Sequence, residues 1–429
     1  MKATTPMTLA ACAALALGCG GTLKSTTDAD SSTDGPGDVS TEAEADVDTD
    51  APDPCEAYPD EPCVVLPHEG GSREVLVDYH TDVDQADFYL LVDTTGTMDD
   101  SITDVAATFT SDIRPAAEAA FGDVRFGLGH FNDFPTDPYG QSNDMPFWHM
   151  LDVSTDLDSI QTELDTLPGN DAWGNGQDLP EANAVALTIT ATGLGLDTGG
   201  ASIPDQSCTS SEAFGYPCFR ASALPVVILI SDAVWHNGED ESDPYDPSDF
   251  TTHDYDDAVA AFNAAGIKFM GVHIPAGGAD GLTPMEHFAS DTASLDAAGD
   301  PLVSTGPANT AGERTATLID TLRAEVRFDV SCLAVDEPDD PPGDDRDATV
   351  FVQSIAPESA TPPTGLPDPT SDATTFHDVT QGTDMTFLVT LENTDHPSGS
   401  APVESLVWIV ALGDGTTEIG RVSIMVIVP

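Results

Sequence analysis

The sequence predicts an α/β protein with a doubly wound, mostly parallel sheet, followed by a small antiparallel β-sandwich. Between about residues 75 and 332, short apolar runs typical of buried strands alternate with amphipathic segments typical of helices. After residue 347 no helical pattern is evident. Strand patterns over 349–355, 384–391, 406–411 and 422–428 are separated there by turn signals such as Gly413-Asp414-Gly415.

The first element of the central region is a continuous apolar run, Phe88 to Val92, which predicts a buried strand ending at Asp93. Apolar residues then recur at helical spacing from Met98 to Ile113, which predicts a helix. The remaining patterns predict strands over 124–131, 147–153, 225–231 and 267–274, and helices over 157–167, 180–189, 258–265 and 311–326.

The N-terminus is typical of a targeting segment. Met1-Lys2 precedes a short apolar stretch, and Leu15 to Cys19 resembles a bacterial lipobox, in which Cys19 would carry the lipid. An ordinary signal peptide with a chance cysteine is the alternative. The lipobox predicts an exported, membrane-anchored lipoprotein of the bacterial outer membrane or cell surface. Apart from this anchor, no segment has the ~20 apolar residues of a membrane-spanning helix.

Composition divides the chain into successive regions. Residues 25–54 hold ten acids and no basic residue, so they cannot bury a core and are expected to be disordered. The predicted regions are a signal peptide (1–18), a lipidated Cys with a disordered acidic tether (19–54), the central domain with an N-terminal extension (55–335), an acidic Pro-rich linker (336–347) and an immunoglobulin-like sandwich (348–429).

The charge balance is strongly acidic, with 76 acidic residues against 12 basic ones and a net charge of −64. Such a chain repels nucleic acids and anionic lipid surfaces, both of which need a basic footprint. It favours cations instead. Solubility after export, or adaptation to salt, would also explain the overall charge, but neither explains carboxylates at particular spacings.

Export would place the cysteines in a compartment that permits disulfides. Cys208 and Cys218 close a short loop and are a natural pair. Because the ends of an open α/β domain often lie close together, we expect Cys63 or Cys55 to pair with Cys332. One thiol is then left over.

Oxygen-bearing side chains follow the predicted strands. Ligands of open α/β sheets bind outside the carboxyl ends of the strands. Asp93, Thr95 and Thr97 follow the first strand, and Asp232 follows the strand over 225–231. Glu181 lies at the start of the helix predicted over 180–189. Such ligands, with water completing an octahedron, suit Mg²⁺ or Mn²⁺.

Four motifs in this order resemble a known family. Asp93-x-Thr95-x-Thr97 is similar to the D-x-S-x-S signature of von Willebrand factor A domains, with Thr replacing both Ser. The A-type domain of integrin β subunits is more similar still. The matching elements are the strand and loop over 125–139, Asp178-Leu179-Pro180-Glu181 and Ser231-Asp232-Ala233. The resemblance covers about residues 87–327.

The resemblance implies a metal-ion-dependent adhesion site, completed by an acidic side chain of a protein partner. Its cation, Mg²⁺ or Mn²⁺, would be held directly or through water by Asp93, Thr95, Thr97, Glu181 and Asp232. Two flanking sites, at least one suited to Ca²⁺, are also implied. Asp133 and Asp178 match one of them, although Asn175 is one residue from the expected position. Asp100 matches the other, although Ser101 stands where its second acid belongs and Asp99 is one position early.

Three functions are compatible with these residues. The favoured one is a cell-surface module that binds a protein, or another carboxylate-bearing ligand, through the cation. The alternative is a structural scaffold whose cations only stabilise the fold. A metal-dependent hydrolase is less favoured, because the motifs include no independently placed general base and no nucleophile signature. We therefore expect that the protein is not an enzyme.

Overall fold

The computed structural model describes residues 54–429 except for 60–61, 69, 170–173, 276–279, 337–346, 395 and 399. The predicted signal peptide, Cys19, nearly all of the tether and most of the linker therefore lie outside the described residues. The rest forms a mixed α/β fold with several sheets and helices, which confirms the predicted α/β class. No helix in the described part of the chain is both long enough and apolar enough to cross a membrane.

Strands occur along the whole described chain, and the α-helices lie between residues 99 and 325. The strands are β1 (Cys63–Val65), β2 (Ser72–His80), β3 (Gln85–Asp93), β4 (Asp123–Phe131), β5 (Trp148–Ser154), β6 (Pro180–Glu181), β7 (Leu196–Thr198), β8 (Ala201–Ile203), β9 (Leu224–Ser231), β10 (Val234–Trp235), β11 (Lys268–His273), β12 (Val303–Thr305), β13 (Arg327–Asp336), β14 (Val352–Thr361), β15 (Thr370–Ser371), β16 (Thr375–Thr380), β17 (Asp384–Glu392), β18 (Val403–Gly413) and β19 (Thr417–Val428). The α-helices are α1 (Asp99–Thr108), α2 (Arg114–Ala120), α3 (Leu157–Leu164), α4 (Asn183–Thr192), α5 (Tyr255–Ala265), α6 (Leu282–Asp291) and α7 (Ala311–Glu325).

A six-stranded sheet in the order β12-β11-β9-β3-β4-β5 forms the centre of the molecule. Its neighbouring strands are parallel except for the edge strand β5, which is antiparallel to β4. Alternate residues of β3 point to opposite faces. Phe88 and Leu90 pack in one apolar cluster with residues of α1, α2 and α7. Tyr89 and Leu91 pack in a second cluster with residues of α4, α5 and α6.

Three helices differ from the sequence prediction, each time near a proline. The helix expected to end at Ile113 continues to Ala120 through a π-helical turn at Phe109–Ile113, which accommodates Pro115. Helix α6 was not predicted from the sequence; Pro284 lies in its first turn, where proline is tolerated. The helix expected from Pro180 begins at Asn183, because Pro180 and Glu181 form β6 and pair with β10.

Two further sheets combine strands from both ends of the described chain. One has the order β1-β19-β18-β13-β16-β15, and the other has the order β14-β17-β2. Thus β1, β2 and β13, which the sequence analysis assigned to the central domain, pair with strands that follow residue 347. Side chains of both sheets share an apolar cluster, and the Tyr79 hydroxyl of β2 donates to the Ile409 carbonyl of β18 at 2.6 Å.

Two disulfides form, and one of them corrects the sequence prediction. Cys208 pairs with Cys218, as expected. Cys55 pairs with Cys63, however, and Cys332 forms no disulfide, so the predicted bond to Cys332 is wrong. The sheet order explains why: Cys63 lies on β1 and Cys332 on β13, with β19 and β18 between them. Three strand spacings amount to roughly 14 Å, well beyond the reach of a disulfide.

A buried charge interrupts the apolar face of β3. Asp87 is fully buried, and its carboxylate accepts hydrogen bonds from Arg220 Nε at 2.9 Å, Nη2 at 2.7 Å and the backbone N at 2.8 Å. Arg220 also pairs with the half-exposed Asp123. Burial raises the pKa of Asp87, and the contacts with Arg220 oppose that rise. This ion pair ties the loop before β9 to the start of β3.

Candidate metal sites

The predicted first site consists of Asp93, Thr95, Thr97, Glu181 and Asp232, and Asp93 is at its base. This fully buried residue ends β3, beside the end of the neighbouring strand β9. Its Oδ1 accepts hydrogen bonds from the Thr95 backbone N at 2.9 Å and from the Thr95 hydroxyl at 2.7 Å. Its Oδ2 accepts from the Ser231 hydroxyl at 2.7 Å. The parallel register of β3 and β9 therefore fixes the orientation of this carboxylate.

Thr97 and Asp232 form the outer part of the first site. The Thr97 hydroxyl lies near the Asp232 carboxylate and opposes the rise of its pKa, which brings the loop after β3 close to the loop after β9. Asp232 is 4% exposed, and its Oδ2 has no hydrogen-bond partner among the described residues. Thr97 is exposed. A ligand from outside can therefore approach the site from the Thr97 side.

Glu181 lies in β6, whose pairing with β10 holds it beside the ends of the parallel strands. It is 3% exposed, and its Oε2 finds no hydrogen-bond partner within the described part of the chain. Burial raises its pKa well above the ordinary value, and the charges of Asp93 and Asp133 add to that rise. An unpaired buried carboxylate is costly, and a bound cation would offset the cost.

The first site concentrates negative charge in the metal-free protein. Burial, followed by the charge of Asp232, raises the pKa of Asp93 to about 7. Burial also raises the pKa of Asp232. The unpaired acceptors on Glu181 and Asp232, together with the hydroxyls of Thr95 and Thr97, offer oxygen ligands alone. This donor set fits a hard divalent cation.

A second site, defined here as Asp133, Asp178 and His236, lies next to the first. One ligand atom from each of its three residues lies within 4.8 Å of the other two. His236 Nε2 is 3.3 Å from Asp133 Oδ2 and 3.2 Å from Asp178 Oδ2. Within the described residues, no other group of three acidic, His or Cys side chains meets this distance, and the acids of the first site do not.

Hydrogen bonds and aromatic rings orient the second site. His236 Nδ1 donates to the Asp243 carbonyl at 2.7 Å, which directs Nε2 towards the two aspartates. Asp133 Oδ1 accepts from the Phe134 backbone N at 2.6 Å and from the Tyr245 hydroxyl. Burial lowers the pKa of His236, but contacts with Asp133 and Asp178 outweigh it and raise the pKa to about 10. In the metal-free protein His236 is therefore a buried imidazolium.

The other predicted flanking residues lie beside the loop after β3 and at the start of α1. The side chain of Asn175 is next to Gly96, where an added Cβ would meet its Oδ1 at 3.0 Å. Asp99 and Asp100 are exposed in the first turn of α1, and Asp99 Oδ1 accepts from the Gly169 backbone N at 3.0 Å. Among the described residues, neither acid belongs to a metal-binding group of three.

Sequence reasoning missed two residues that shape these sites. His236 has no ligand-like spacing to another histidine, and its only signal is its place four residues after Asp232. Asp144 has no motif at all. It accepts hydrogen bonds from the backbone N atoms of Gln141 and Asn175. Asp144 thereby holds the loop before Glu181, where Gly174 has a φ of 87° and no room for a Cβ.

Comparison with known proteins adds little to this geometry. No known protein family matches the sequence, and no curated protein is significantly similar to it. Solved structures that match include a von Willebrand factor type A protein from Catenulispora acidiphila (12% identity, TM-score 0.36, 85% of this chain and 71% of that chain), the pilus adhesin SpaC from Lactobacillus rhamnosus GG (12%, 0.36, 84% and 45%) and proximal thread matrix protein 1 from the mussel byssus (12%, 0.34, 59% and 50%). TM-scores below 0.5 carry no functional information, so function is inferred from the two sites.

Proposed function

We propose that this protein is a cell-surface binding module that recognises an acidic group of a protein partner through a divalent cation at the first site. The observation that carries the proposal is the group of oxygen ligands that lie together at the carboxyl ends of β3 and β9. There Asp93 accepts a hydrogen bond from the Thr95 hydroxyl, and Thr97 lies near Asp232. Asp232 Oδ2 and Glu181 Oε2 have no hydrogen-bond partner among the described residues. Mg²⁺ or Mn²⁺ would use these oxygens directly or through water.

Binding by a partner would follow from the exposure of the site. Thr97 faces solvent while the carboxylates behind it are buried. A cation held there keeps its outer coordination position open to a carboxylate from outside. With a net charge of −64, the protein repels acidic partners at long range. Recognition would therefore depend on the short-range metal bond, and a chelator would abolish it.

The same proposal includes the type of the central domain and the way in which the chain is anchored. The central domain would be a doubly wound von Willebrand factor A-type domain of the integrin β kind, beside a β-sandwich that includes β14 and β17. A signal peptide and a lipid on Cys19 would anchor the chain to the outer membrane or cell surface. We propose binding and not catalysis, since the first site contains ligands and no separately oriented base.

A structural scaffold is the second candidate, favoured by the burial of Asp93, Glu181 and Asp232, because a cation would relieve their repulsion whether or not a partner binds. Thr97→Val tests the metal site that both functions need, and binding of a partner peptide then separates the two. The variant keeps the shape of an exposed residue and removes one hydroxyl ligand, so we expect weaker Mg²⁺ binding by calorimetry with little change in the free energy of unfolding in chelator.

The partner test selects displayed peptides for binding to the wild-type protein in Mg²⁺. We expect the selected peptides to share an Asp or Glu, and changing it to Asn or Gln should abolish binding, as should Thr97→Val or a chelator. Thr103→Val, at an exposed hydroxyl in α1 that bonds only the backbone of its own helix, is the matched control. Peptides that bind equally well in chelator would contradict the adhesion proposal, and Mg²⁺-dependent stability without peptide binding would favour the scaffold.

A further inference from the structure

The second site has a different set of donors from the first. It offers two carboxylate oxygens and one imidazole nitrogen, whereas the first site offers oxygen alone. Mg²⁺ and Ca²⁺ take oxygen ligands almost exclusively. An imidazole nitrogen suits Zn²⁺ and the later first-row metals, whose affinity for mixed nitrogen and oxygen ligands is higher. The two sites are therefore built for different ions.

The hydrogen bonds around His236 favour its use as a ligand. Nδ1 donates to the Asp243 carbonyl at 2.7 Å, so the neutral imidazole would present the lone pair of Nε2 to the aspartates. This arrangement of a ligating histidine fixed by a carbonyl through its other nitrogen is a general feature of protein metal sites. Tyr139 packs edge-on against the His236 ring, and Tyr245 packs at a tilt against the same ring, with centroid distances of 5.4 and 4.2 Å.

The carboxylate of Asp133 is oriented in the same way. Both donors to this residue, the Phe134 backbone and the Tyr245 hydroxyl, bond Oδ1, which leaves Oδ2 facing His236 Nε2. Asp133 is fully buried, whereas the Asp178 side chain is 32% exposed and gives access from solvent. One side of the site is therefore fixed and the other is open to an entering ion.

Glu181 and Asp133 place buried carboxylates beside His236. The Glu181 backbone carbonyl accepts from the His236 backbone N at 2.9 Å, so the two residues lie on neighbouring segments of the chain. Asp133 Oδ2, which faces the second site, is buried and makes no hydrogen bond with the described residues. A buried acceptor without a donor is costly, and a cation at the second site would offset that cost.

We propose that Asp133, Asp178 and His236 bind Zn²⁺ or a similar late first-row metal ion, in preference to Mg²⁺ and Ca²⁺. The ion would replace the proton on Nε2 and add positive charge beside Glu181. It would also hold the loop containing Glu181 next to the first site. The proposal does not depend on adhesion, because the second site has its own ligands.

The test is calorimetric titration of the full chain with Zn²⁺ after removal of metals, with saturating Mg²⁺ present throughout. We expect one Zn²⁺ site in the wild type and at least a 10-fold loss of affinity in His236→Gln. Mg²⁺ affinity, measured in a separate titration of the metal-free chain, should change less than about 3-fold in that variant. His377→Gln is the matched control. His377 is partly exposed and also contacts two aspartates, but it does so through different ring nitrogens, so one ion cannot join all three.

Asp178→Asn gives a second measurement if His236→Gln does not fold, because this partly exposed residue tolerates substitution better. It too should weaken Zn²⁺ binding at least 10-fold. Co²⁺ bound by the wild type should show visible absorption bands that Zn²⁺ removes and Mg²⁺ does not. Equal Zn²⁺ affinity in the wild type and both variants would overturn the proposal, as would displacement of Zn²⁺ by Mg²⁺. Thr97→Val distinguishes the two sites, since it should weaken Mg²⁺ binding and leave Zn²⁺ binding intact.

Discussion

Replacing Asp93 by Asn removes one buried negative charge from the first site and keeps the shape of the side chain. In the metal-free protein, burial and the charge of Asp232 raise the pKa of Asp93 from 3.8 to about 7. A carboxyl with a higher pKa in the folded state binds more protons when folded. The contribution of Asp93 to the free energy of unfolding therefore falls as the pH rises from about 4 to about 7. We expect Asp93→Asn to stabilise the metal-free protein above pH 7.

The size of this effect follows from the pKa. A difference of about three pKa units corresponds to about 4 kcal/mol, at about 1.4 kcal/mol per unit. The Asn side chain keeps one oxygen that can accept from Thr95, but it presents a donor where the Ser231 hydroxyl now donates. Rearranging that hydrogen bond costs about 1–2 kcal/mol. The net gain in unfolding free energy at pH 8 in chelator is then about 2–3 kcal/mol.

The assay is urea unfolding followed by circular dichroism at pH 5 and pH 8, with chelator or with excess Mg²⁺. The variant should be more stable than the wild type only at pH 8 in chelator, and Mg²⁺ should stabilise the wild type alone. Asp99→Asn is the control, because Asp99 is exposed beside the site and its substitution should change stability by less than about 0.5 kcal/mol. A destabilised Asp93→Asn variant at pH 8 in chelator would refute the proposed repulsion.

Two predictions concern other buried ionisable side chains. Arg220→Met leaves the buried carboxylate of Asp87 without its side-chain partner and should cost about 3–5 kcal/mol at neutral pH, and less in acid, where Asp87 is protonated. Asp123→Asn removes the half-exposed partner of Arg220 and should cost less than about 1 kcal/mol in the same urea assay. Equal losses of stability in the two variants would contradict the greater importance of the buried pair. Burial lowers the pKa of His130 to about 3, so its NMR ring signals should stay unchanged from pH 8 to about pH 4.5, and protonation in the unfolded chain should favour unfolding below pH 6.5. If His130 titrates near pH 6.5 in the folded protein, burial does not lower its pKa and the prediction is wrong.

The hydrophobic pattern of the sequence was enough to predict the parallel strands β3 and β9 and the first-site residues that follow them. The runs at β3 and β9 are apolar because both faces of these strands are covered, and polar residues mark their ends. Because carboxyl ends of parallel strands meet at one edge, Asp93 and Asp232 could be placed together from the sequence alone. The disulfide between Cys208 and Cys218 was predictable for a similar reason, since the loop between them is short.

Contacts between distant segments could be decided only by the tertiary structure. Pairing of β2 with β17 joins residues about 300 apart, and nothing in an alternating strand pattern specifies which partner the strand takes. Cys63 pairs with Cys55, and not with Cys332, because β19 and β18 lie between β1 and β13 in the other sheet. His236 contacts Asp133 and Asp178 because the pairing of β10 with β6 carries it there. Spacing along the chain encodes neighbours within one element, whereas a site assembled from three loops depends on how those elements pack.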